Sequence, residues 1–118
     1  MSAEINPVAV EEAIRKCANR IAEGVTICDS RYRVFLAADS AFDQAFARAY
    51  LAADGPAHER KYRAELATAT ERHSRDVADA AYKYADRTAK AVESELRALQ
   101  SVGASLRVMY GVAGVGER

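Results

Sequence analysis

Apolar side chains recur along this chain at three- and four-residue intervals, interrupted by short runs of glycine, proline and polar residues. Val10, Ala13, Ile14, Cys17 and Ile21 fall on one face of a helix, which predicts a first helix over residues 7–23. Asn6 is a favourable N-cap, and Pro7 takes the first helical position, where its missing N–H is no loss. Glu11 and Glu12 suit the positive end of that helix. Gly24 reads as its C-terminal cap, and the β-branched stretch Val25-Thr26-Ile27-Cys28 as a short connector.

A second helix is expected over 30–53, capped by Asp29 or Ser30. Phe35, Phe42, Phe46, Ala49 and Ala53 trace its apolar face, bordered by Tyr32 and Tyr50. All three phenylalanines of the protein lie there. Asp54-Gly55-Pro56 ends it. A third helical region runs over 57–110. Thr68 with Glu71 resembles a capping box and predicts a break near residue 68. Beyond it Ala78, Tyr82, Ala85, Ala89, Val92, Leu96, Leu99, Gly103, Leu106 and Tyr110 repeat in heptad fashion. Gly103 marks a bend, a fray point or a close backbone approach. Residues 111–118, rich in glycine, read as a flexible tail.

The pattern therefore predicts an all-α protein of one domain, 1–118. A helical hairpin carries an extra N-terminal helix and a long C-terminal coiled-coil-like helix. A helix over 69–110 is roughly 63 Å long, whereas a partner of about 25 residues covers only about 37 Å. Self-association into an oligomeric bundle is the expected cover for the remainder. Ala85 and Ala89 would permit close approach, and Val92, Leu96, Leu99 and Leu106 would supply the buried surface.

Composition sharpens this. Half of the 118 residues are hydrophobic, but 26 of those 59 are alanine. Leu, Ile, Val and Phe together number 23, so the chain has little to bury. No apolar run approaches the roughly 20 residues of a membrane span. No basic start followed by an apolar run marks a secretory signal. Two cysteines make no disulfide framework. A soluble, cytoplasmic protein is expected.

Candidate chemistry is sparse. His58 and His73, and Cys17 and Cys28, lack metal-ligand spacing, so no metal or other cofactor is expected. Asp39 with Asp43, and Asp76 with Asp79, are carboxylate pairs one turn apart, but a slender helical bundle offers no pocket to perturb them. No phosphate loop or nucleophile elbow is present, and no enzyme is expected. Small secreted helical hairpins turn on W-x-G, and this chain has no tryptophan.

Charge is balanced overall, with 17 basic and 17 acidic residues. Lys83, Arg87 and Lys90 share a helix face, and Arg97, Gln100, Arg107 and Tyr110 follow in a stretch with no acid between Glu95 and Glu117. Such groups can contact phosphates and unpaired bases. Mixed charge with pairs such as Asp86 and Lys90 equally describes a solvated helix.

The segment Ala45-Phe46-Ala47-Arg48-Ala49-Tyr50, the Gly55 turn, Glu59-Arg60-Lys61, Ala80-Ala81-Tyr82, Leu96-Arg97-Ala98-Leu99-Gln100-Ser101 and Arg107 follow one another over residues 40–110. This order resembles small helical proteins of tailed bacteriophages that are often encoded near recombination and single-strand-annealing genes. The resemblance implies a non-enzymatic accessory role in phage DNA recombination or replication, in the host cell cytoplasm. An oligomer would contact single-stranded DNA or a recombinase through Lys83, Arg87, Lys90, Arg97, Gln100, Arg107 and Tyr110. Two other readings stand beside it. One is a protein-binding module that inhibits a host defence enzyme, in the manner of anti-CRISPR proteins, with Glu4, Glu11, Glu12 and Glu23 mimicking nucleic acid or docking a basic groove. The other is a structural assembly factor.

Overall fold

The computed structural model describes residues 6–116, with side chains described through residue 111. It contains three helices: α1, Pro7–Ala52; α2, Ala57–Ala67; and α3, Ala69–Gly116. No strand occurs among the described residues, so the fold is all-α. The Asn6 side-chain oxygen accepts the Ala9 N–H at 2.9 Å, as expected of an N-cap.

Two helix boundaries differ from the sequence expectation, and a third forms by other means. The break at Gly24 does not form, and α1 is one helix of 46 residues. Glycine weakens a helix by about 1 kcal/mol without ending it. Ile21, Gly24, Cys28, Phe35 and Ala38 keep the three-four phase, so one continuous helix retains the apolar seam. The expected flexible tail is also helical as far as Gly116; no proline interrupts it, and residues 117–118 lie outside the described residues. At Thr68 the break is present, but the capping box is not. The Thr68 hydroxyl donates backwards to the Ala64 carbonyl at 2.7 Å. Glu71 Oε2 is buried with no hydrogen-bond partner.

Contacts gather in two compact units. One comprises Met1–Val25 with Arg87–Arg118. Within it α1 and α3 run antiparallel. A Cβ on Gly103 would stand 3.5 Å from Val10, and one on Gly24 would stand 3.8 Å from Ala89. Arg20 bridges to Glu95 at 3.0 Å. Val10, Cys17, Val92 and Leu106 are its buried core. Of the three roles open to Gly103, close backbone approach is the one observed.

The other unit is the continuous segment Thr26–Asp86. Gly55, at φ +103°, turns the chain between α1 and α2. The Asp54 carbonyl accepts a bond from Arg63 at 3.0 Å. The fully buried residues here are small: Ala64, Thr68, Ala78 and Ala85. Phe35, Phe42 and Phe46 are only half-buried. Tyr32 meets Tyr82 with ring centroids 5.1 Å apart, and Arg60 lies over the Tyr50 ring at 4.9 Å.

Candidate docking face

The heptad stripe of α3 is occupied from within the chain. Ala85, Val92 and Leu106 are buried, and Ala89, Leu96 and Leu99 are half-buried, with a single copy present. These six therefore line the intramolecular seam. The premise of the earlier inference falls away: the partner helix has 46 residues where about 25 were expected.

The residues expected to contact nucleic acid divide between the two units. Lys83 lies in the Thr26–Asp86 unit, and Arg87, Lys90, Arg97, Gln100, Arg107 and Tyr110 lie in the other. All seven are exposed. Lys83, Lys90 and Arg97 recur every seventh residue, and an acid stands four residues before each: Asp79, Asp86 and Glu93. Lys83 binds Asp79 at 2.8 Å, and Arg97 donates to the Ser94 hydroxyl at 3.3 Å. A row of acids thus accompanies the row of cations, which reduces the net field available to a phosphate backbone.

Of the acidic residues proposed to mimic nucleic acid, Glu4 lies outside the described residues. Glu12 pairs with Lys16 at 3.6 Å, and Glu11 and Glu23 are exposed. Among the described residues no group of three His, Cys, Asp or Glu side chains could hold a metal ion. No helix of the described residues is long and apolar enough to cross a membrane. Cys17 is buried and Cys28 half-buried, both as free thiols.

A different surface stands out in the Thr26–Asp86 unit. Arg31, Val34, His73, Ser74, Val77, Ala78 and Ala81 line an open groove of about 600 Å³. Arg31 and His73 stand in this lining, while Val34 on α1 and Ser74, Val77 and Ala81 on α3 belong to rows of uncharged positions. On α1 the row is Ile27, Ser30, Val34, Ala37, Ala41 and Gln44, all exposed. On α3 it is Thr70, Ser74, Val77, Ala81 and Tyr84, of which only Ala81 is half-buried. Val34 is 54 % exposed, Val77 55 % and Tyr84 73 %. Another face of α3 in this unit carries Asp76, Asp79, Lys83 and Asp86. The groove itself carries Arg31 beside these uncharged positions.

The signal for this face was present in the sequence as an absence of charge at heptad spacing. Serine, threonine and alanine kept it from reading as an apolar stripe. That Val34 of α1 meets Ser74, Val77 and Ala81 of α3 in one groove is visible only in three dimensions. No family model, curated protein or solved structure matches the chain.

Proposed function

We propose that this protein is a non-enzymatic helical docking module, and that it binds other helices through the α1–α3 groove of its Thr26–Asp86 segment. The observation that carries this reading is the contrast within that unit. Its buried residues are three alanines and a threonine, while Val34 and Val77 stand exposed in one groove and Ile27 and Tyr84 are exposed as well. A helix pair with so little of its large apolar surface covered gains most by receiving a partner there. Small residues between the large ones let helices approach closely and accept side chains in ridge-and-groove packing.

The DNA-contacting role implied by the resemblance to phage recombination proteins has less support. Three of the cations it needs, Lys83, Lys90 and Arg97, each follow an acid by four residues. The protein-binding alternative and an assembly role both fit such a groove.

Photo-crosslinking separates these readings. A benzophenone amino acid is placed at Val77 in one variant and at Lys90 in another, and adducts formed in cells are identified by mass spectrometry. Docking predicts one defined protein adduct, another chain or a second copy, from position 77 and none from position 90. Nucleic-acid adducts from position 90 with none from position 77 would turn the assignment to DNA contact. Silence at position 77 removes the docking reading.

A further inference from the structure

We infer that α1 carries a built-in opening point at Gly24–Ser30, where the helix unwinds locally while the segments before and after it stay folded. This device belongs to the chain itself and needs no docking partner.

Helix propensity sets the place. Gly24-Val25-Thr26-Ile27-Cys28-Asp29-Ser30 is nearly two turns of helix without one alanine, leucine, arginine, lysine, glutamate or glutamine. Elsewhere in α1 no more than two consecutive residues lack such a strong helix former. Glycine loses the most backbone entropy in a helix, and Val25, Thr26 and Ile27 lose rotamer freedom against the preceding turn.

Packing does little to offset this. None of the seven residues is buried. Val25 is 69 % exposed and Ile27 48 %, and Thr26, Asp29 and Ser30 are exposed as well. A Cβ on Gly24 would meet only Ala89, at 3.8 Å. Asp29 pairs with Arg33 of its own helix at 3.0 Å, a contact that ties the run to nothing outside α1. The anchors of α1 lie on either side. Before the run, Cys17 is buried and Arg20 bridges to Glu95; after it, the Tyr32 ring meets Tyr82.

The contact pattern also changes inside this run. Residues through Val25 belong to one compact unit and residues from Thr26 to the other, so opening there sacrifices little packing within either. The corresponding change in α3 falls between Asp86 and Arg87. There Ala85, Arg87, Ala89 and Lys90 are all strong helix formers. The opening point is therefore specific to α1.

Native-state hydrogen exchange of the full chain, read at single amides by NMR, tests this. After correction for intrinsic rates, amides of residues 26–30 should exchange at least about tenfold faster than those of 14–20 and 36–42 in α1 and of 85–90 in α3. Low concentrations of urea should leave exchange at 26–30 unchanged and accelerate it at the other three stretches, because a local opening exposes little new surface. Gly24→Ala with Val25→Ala and Thr26→Ala should slow exchange at 26–30 by about tenfold or more. Equal protection of 26–30 and the other stretches, or an equal response to urea, overturns the proposal. So does a triple variant that folds and leaves exchange at 26–30 unchanged.

Discussion

Gly103 of α3 faces Val10 of α1 so closely that a Cβ on the glycine would lie 3.5 Å from a Val10 methyl and 3.8 Å from Ile14. Those are ordinary contact distances. Gly103→Ala should therefore add apolar contact and helix propensity together and stabilise the protein by up to about 1 kcal/mol. Gly24→Ala, whose Cβ meets only Ala89 at 3.8 Å, should act in the same direction. Gly55→Ala should destabilise, since φ there is +103° and Glu59 comes within 3.0 Å of the added atom. Urea denaturation of the three variants checks the signs. Destabilisation by Gly24→Ala would show that residue 24 has the backbone of a helix cap.

Thr68 makes a second prediction. Its hydroxyl and its N–H both reach the Ala64 carbonyl, at 2.7 and 3.1 Å, and the residue is buried. Thr68→Val keeps the shape and removes one bond, for an expected loss of about 1 kcal/mol. Thr68→Ala also opens space and should cost more. Equal losses for the two variants would mean that packing, not the hydroxyl, holds this junction.

Arg75 places its guanidinium 4.5 Å from the centre of the Phe42 ring and 3.9 Å from Asp39. Because the pair is partly exposed, a double-mutant cycle between Arg75→Ala and Phe42→Leu should give a coupling of about 0.5–1 kcal/mol. The Asp39 contact is long and should add little in the corresponding cycle. Coupling to Asp39 larger than coupling to Phe42 would reverse that ranking.

The two thiols differ in access. Cys17 is 2 % exposed and Cys28 is half-buried. A disulfide reagent should label Cys28 in the folded protein and Cys17 only on unfolding. Cys17→Ser should lose about 1–3 kcal/mol, because a hydroxyl enters a site with no partner provided for it. Equal labelling rates in native buffer would refute the burial of Cys17.

Much of the architecture was legible before any coordinates. The Asn6 cap, the turn at Gly55, the break near Thr68 and the heptad stripe of α3 follow from residue chemistry and spacing. The continuity of α1 was misread because Gly24 and the β-branched residues after it look like punctuation. Their spacing from Ile21 and to Cys28 and Phe35 preserves the seam, and packing along that seam outweighs local propensity. The groove between α1 and α3 was not legible for a different reason: Val34 and Val77, which line it, are far apart in sequence. Opposing rows on two helices acquire meaning only once the hairpin is closed.

The turn at Gly55 has a kinetic consequence. The segment it closes, Thr26–Asp86, is continuous in sequence, whereas the other unit joins residues before Val25 to residues after Arg87. Contacts near the turn close shorter loops than those of the second unit, and longer loops form more slowly. The molecule should fold as a zipper that starts at Asp54-Gly55-Pro56 and travels outward. Amides beside Tyr32 and Tyr82 would then gain protection from hydrogen exchange before those beside Val10 and Leu106, and would surrender it last.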